Sequence, residues 1–202
     1  LPLMMTQMLE VLFNLSDVAI AGKYADYIAL GAVGSTALLV SLFTGILIGM
    51  GAGVNVRTAH QLGAEKTSGS SETVARTVYS GLIVCLIIGI ILCLVCNIFA
   101  RPMLETLKTK DELIESAVLY LKIYALGMPA MAVYNFGNGV LSACGETKKP
   151  LVYLSIAGVL NVILNIFFVV VCKKAADGVA IASVIAQYLS ASMIMCHLLR
   201  RK

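Results

Sequence analysis

From Thr77 to Phe99 the chain carries no charged residue. A run of this length is about what an α-helix needs to cross the hydrocarbon core of a bilayer, roughly 20 residues. In lipid every backbone N–H and C=O must be paired inside the protein, so only helices and closed barrels span membranes. The strand-like alternation that a membrane barrel requires is absent here. The run is therefore a spanning helix, and with so few polar atoms it is expected to face lipid for much of its length. The rest of the chain agrees. Of its 202 residues 59% are hydrophobic and 13% charged, whereas soluble domains carry about 25% charged residues. A soluble bundle of this size could not hide so much apolar surface. The fold class is all-α, an integral membrane bundle.

Six transmembrane helices are expected, over about 2–21, 28–62, 73–99, 113–143, 151–171 and 178–198. Polar turns separate them, including a hydrophilic loop from Gly63 to Ser71, a longer connection from Ala100 to Glu112, and the basic loop Gly145–Pro150. Pro129 should kink the fourth helix, because it removes one backbone bond and crowds the preceding turn. In the second, Gly45, Gly49 and Gly53 form a small-xxx-small ladder of the kind that lets neighbouring backbones approach closely. The six cysteines fall in or beside apolar segments and read as small packing residues. Six spans put both ends on one side. Arg57, Lys66, Arg76, Lys148, Lys149, Arg200, Arg201 and Lys202 on that side narrowly outnumber the bases on the other, which favours cytoplasmic ends. The chain starts at Leu1, already inside an apolar run, and further N-terminal residues are expected to precede it.

The first helix contains the least expected residues. Gln7, Glu10, Asn14 and Asp17 follow a spacing of three, four and three. At 100° per residue they share an arc of about 80°. A carboxylate facing lipid costs several kcal/mol, so this face should look onto protein or a water-filled cavity. One reading makes Glu10 and Asp17 neutral packing residues. The other makes them an ion or proton site, the default meaning of an intramembrane acid. Further amides and hydroxyls recur at helical spacing: Asn135, Asn138 and Ser142 on the fourth helix, Asn161 and Asn165 on the fifth, Ser183, Gln187 and Ser190 on the sixth.

No phosphate loop, nucleophile elbow or His-Glu-x-x-His pair is present, so an enzyme is not expected. The two acids stand two turns apart on one helix, roughly 10 Å by helix rise, too far for a protease dyad sharing a proton. A carrier fits this inventory better. Asp17 would exchange a proton or a sodium ion, with Asn161 and Asn165 bonding the protonated acid or helping to coordinate the ion. Discharging Asp17 would change which helix packing is preferred.

Several segments in order resemble the multidrug and toxic compound extrusion (MATE) family. They are Asn14–Asp17 with Ala21-Gly22, Ala29–Gly34, Gly49–Gly53 with Gln61–Ala64, Gly145–Pro150, Asn161–Asn165 and Gly178–Ser183. The resemblance covers essentially the whole chain. It implies one six-helix N-terminal lobe of a two-lobe, twelve-helix exporter of small organic, often cationic, compounds or drugs in exchange for H+ or Na+. It also implies a plasma-membrane location in the lipid bilayer, a C-terminal lobe as partner, no nucleic acid and no cofactor. It makes Asp17 the coupling acid, with Asn161, Asn165 and Ser183 around it and Glu10 adding a charge where the family is commonly polar. Asn165 departs from the family, which often has an acid there. Gln7, Asn14, Asn135, Asn138 and Gln187 are candidates for the cargo cavity. The competing readings are a flippase for a lipid-linked saccharide and a non-transporting membrane subunit. Acids and amides on the inner faces, where a flippase would carry cations, favour cationic cargo.

Overall fold

The computed structural model describes residues 2–68 and 72–200, and the side chains of all of these except 2–4, 7, 65–68 and 72–73. The described residues form α1 (Pro2–Tyr24), α2 (Tyr27–Ser68), α3 (Glu72–Thr106), α4 (Asp111–Ala125), α5 (Met128–Ala143), α6 (Lys148–Ile166) and α7 (Ala176–Arg200). A π-helical turn, Phe167–Val171, closes α6. α2, α3, α6 with its π turn, and α7 are each long and apolar enough to cross a bilayer, and α4 with α5 qualifies as a pair bent by 44°. α1, of 23 residues, is comparable in length and holds the two acids.

The fourth expected helix is thus two helices. The bend falls at Leu126–Gly127, ahead of the proline, where the two N–H groups turn back to Ile123 O and Tyr124 O at 3.0 Å each. Pro129 then stands in the first turn of α5, where a missing N–H costs nothing. Two connections are shorter than the sequence suggests. α3 continues through Pro102 to Thr106, because Ala100 and Leu104 are fully buried in the core on either side of the proline. α2 continues to Ser68 and takes up residues 63–68, expected as loop.

The glycine ladder also needs correction. A Cβ at Gly45, Gly49 or Gly53 would meet nothing within 4 Å. The close approach is made instead by Gly51, where a Cβ would stand 2.6 Å from the Asn135 carbonyl oxygen, and by Gly139, where it would run into the Gly51 carbonyl. Gly51 lies about 200° around the helix from Gly49, so the tight α2–α5 seam and the ladder occupy opposite faces. Alanines do similar work where α1, α2, α4 and α7 meet: Ala21, Ala29, Ala32, Ala117, Ala125 and Ala180 are completely buried. Small side chains allow such backbone contact in a membrane, where hydrophobicity alone does not drive helices together.

α3 presents a long apolar face to the outside of the bundle. Ile83, Ile87, Ile91, Leu94 and Ile98 are all exposed along it, as its uncharged sequence leads one to expect. The cysteines divide: Cys85 and Cys96 are buried, but Cys172 and Cys196 are exposed rather than packed. Polar contacts mark the two ends of the bundle. At one end Tyr27 donates to Glu112 (3.3 Å) and Arg101 pairs with Glu115. At the other Lys149 and His197 both reach Glu146, at 3.0 and 3.3 Å.

Candidate functional site

α1 presents one face outward and one inward. Met8, Val11, Leu12 and Leu15 are more than half exposed, while the stripe that includes Asp17 turns into the bundle. It sits against α6 at Gly158, where a Cβ would overlap the Phe13 ring. That contact brings Asp17 level with Asn161 and Asn165, one turn apart on α6. Ser183 arrives from α7, whose Val179, Ala180 and Ala182 are fully buried.

These four side chains, all buried, close a ring of hydrogen bonds. Asn165 Nδ2 donates to Asp17 Oδ1 at 2.6 Å and to Asn161 Oδ1 at 3.1 Å. Asn161 Nδ2 donates to Ser183 Oγ at 3.1 Å, and Ser183 Oγ donates to Asp17 Oδ2 at 2.8 Å. Both carboxylate oxygens therefore have a donor. Two features leave the ring able to change. Asn165 Oδ1 is buried without a partner. Ser183 has one hydroxyl proton but two acceptors in reach, Asp17 Oδ2 and the Val179 carbonyl at 3.1 Å. With a proton on Asp17, the acid donates to Ser183 Oγ and the serine proton turns to Val179. Both charge states of Asp17 are thus paired.

The ring borders a cavity of about 80 Å³ that also touches Glu10, Asn14, Thr44, Tyr124, Asn135 and Gln187. Glu10 is half-buried, and its Oε2 is shut off from solvent with no hydrogen-bond partner. Gln187 Oε1 and Thr44 Oγ1 are in the same condition. A second cavity, of about 200 Å³, lies on the far side of Glu10 and is lined by Asn55, Asn135 and Asn138 among others. Glu10 and Asn135 are common to both.

Of the residues expected from sequence, Asp17, Asn161, Asn165 and Ser183 come together directly. Glu10 stands apart at the other end of the cavity. Asn14, Asn135 and Gln187 line the same cavity, and Asn138 lines only the second. The Gln7 side chain lies outside the described residues. Tyr124, Tyr134 and Thr44 were not singled out in the sequence, yet all three line the cavity. The signal for Tyr124 was present: the spacing of three and four back from Asn135 passes Met131 and Gly127 and ends on it. Among the described residues no three His, Cys, Asp or Glu side chains gather as a metal cluster. A cation here would meet one acid with amide and hydroxyl oxygens, a hard-ligand set.

The MatE family profile matches residues 2–167. The chain belongs to the MatE family. It is 27% identical over 189 residues to the probable multidrug resistance protein YpnP of Bacillus subtilis, covering 93% of this chain and 41% of that protein. It is 25% identical over 205 residues to the probable multidrug resistance protein YoeA of the same organism, covering 100% and 43%. A crystal structure of MATE in the bent conformation has the same fold, with a TM-score of 0.92 at 22% identity over 100% of this chain and 44% of that one. The chain therefore spans less than half the length of the MatE relatives it matches. Ser183, beyond the matched profile, falls within the structural likeness, which extends over α7.

Proposed function

We propose that this chain is the N-terminal lobe of a secondary active antiporter. The antiporter exports small organic, cationic compounds across the plasma membrane in exchange for H+ or Na+. The carrying observation is the ring on Asp17. A buried carboxylate with a donor on each oxygen, and with a serine proton that has a second place to go, exchanges a proton with its own two oxygens paired in both states. The unpartnered Asn165 Oδ1 beside it offers a further oxygen to a sodium ion. Cationic cargo is supported by the cavity lining, which has two acids, amides and aromatic rings and, among the described residues, no base. Tyr124 and Tyr134 line the cavity, and aromatic rings attract organic cations. The partner is a C-terminal lobe, which the relatives' length supports, and both ends of this segment face the cytoplasm by the charge bias.

The test is efflux of a fluorescent lipophilic cation from cells that express the complete gene, with proton and sodium gradients varied separately. Wild type exports the dye, Asp17→Asn does not, and the gradient that drives export names the ion. Equal export by both proteins would make Asp17 structural and sink the coupling role.

A further inference from the structure

A groove of about 600 Å³ opens between α2 and α3, at the end of the bundle remote from the Tyr27–Glu112 contact. Arg57 and Arg76 flank it, one from each helix, with Thr58, Thr77 and Ser80 between them. Its walls become apolar at Val84 and Ile88. Gly53 borders its open space, since a Cβ there would meet nothing within 4 Å.

Three observations bear on what fills it. First, both arginines are exposed, and neither has an ion-pair partner among the described residues. Arg101, near the other end of α3, is paired with Glu105 and Glu115. Second, the Thr58 hydroxyl is buried in the groove wall without a hydrogen-bond partner. Third, the depth suits a headgroup. At 1.5 Å per residue Arg57 lies ~45 Å along α2 from Tyr27, and Arg76 lies ~38 Å along α3 from Arg101. A bilayer with its headgroup layers is about 40–45 Å thick. The arginines therefore stand at the headgroup level of one leaflet. The apolar end of the groove runs toward the lipid-facing side of α3.

We infer that the groove between α2 and α3 binds one anionic phospholipid, its phosphate held between Arg57 and Arg76 and an acyl chain laid along Val84 and Ile88. A free phosphate would engage the arginines and leave the apolar half of the groove unused. A zwitterionic lipid would bring its own cation against the guanidinium groups. Basic pockets between transmembrane helices on the cytoplasmic side suit anionic headgroups for this reason.

The test is native mass spectrometry of the complete protein, purified in detergent and equilibrated with equal amounts of phosphatidylglycerol and phosphatidylcholine of matched chains. Wild type retains phosphatidylglycerol in preference. Arg57→Gln with Arg76→Gln carries one anionic lipid fewer, and binding at this site falls by about tenfold or more. Arg57→Lys with Arg76→Lys keeps it, which separates charge from folding, and Arg101→Gln changes nothing. Ser80→Trp, which fills the groove with both arginines intact, also loses the lipid and stands in if the double Gln variant fails to fold. An unchanged count of bound phosphatidylglycerol in the neutralised and filled variants would overturn the inference. So would glycerol phosphate competing as well as the intact lipid, since the ligand would then be a free phosphate.

Discussion

Asp17 and Glu10 are the same kind of residue on the same face of the same helix, two turns apart, and their surroundings differ in one respect. Asp17 has a donor on each oxygen, drawn from α6 and α7. Glu10 has an oxygen that is shut off from solvent and bonded to nothing. The fold pairs both oxygens of the first and leaves one oxygen of the second without a partner. A hydrogen bond to a charged group contributes about 1.5–3 kcal/mol, and a buried polar group left without one costs a similar amount. One acid is therefore held by a preformed set of donors, and under the proposed function the other is the one that gains a partner when a cation or proton enters the cavity between them.

The largest expected effect is that of Asp17→Asn. Gradient-driven efflux falls about 100-fold or more, since the exchangeable charge is lost, while membrane insertion is unchanged by surface labelling. Next is Ser183→Ala, which strips a donor from Asp17. Efflux falls roughly tenfold, as one hydrogen bond to a charged group implies, and Ser183→Thr restores it. In an Asp17→Asn background Ser183→Ala adds no further loss, because the two act as one unit. Additive losses in that double-mutant cycle would break the ring as a functional entity. Glu10→Gln is expected to act differently. The apparent affinity for a monovalent organic cation weakens by about tenfold or less, at a cost of about 1 kcal/mol for one partly exposed charge, while coupling persists. If Glu10→Gln uncouples transport as fully as Asp17→Asn, the distinction between the two acids is wrong. Smallest is Asn138→Ala, on the far side of Glu10. It leaves efflux within about twofold, as a substitution away from the first cavity should.

Much of this was legible in the sequence. The uncharged run in α3, the all-helical apolar bundle and the stripe on α1 all follow from hydropathy and a 3.6-residue period. That Asn161 and Asn165 could serve Asp17 was expected from their amides at helical spacing, but that Ser183 would join them was expected only through family resemblance. Periodicity places each residue on a face and says nothing about which faces meet. The errors share a cause. The reach of α3 past Pro102 is decided by Ala100 and Leu104 packing in the core, a tertiary effect that overrides local propensity. The glycine ladder misled because a motif records which face is small, not which face is used. Gly51, two residues from Gly49 and Gly53, makes the contact. The split between Glu10 and Asp17 was invisible for the same reason, since both are acids in an apolar helix until their partners are known.

The tight seam between α2 and α5 also bears on how the protein is made. Gly51 packs against Asn135 and Gly139, which the ribosome delivers after α3 and α4 have been synthesised. A seam of such long sequence separation is slow to close, so the lobe is assembled around a late-arriving helix. Substitutions at Gly51 or Gly139 would therefore be felt first as a failure of biogenesis, in chains that are degraded before they are ever asked to move a solute.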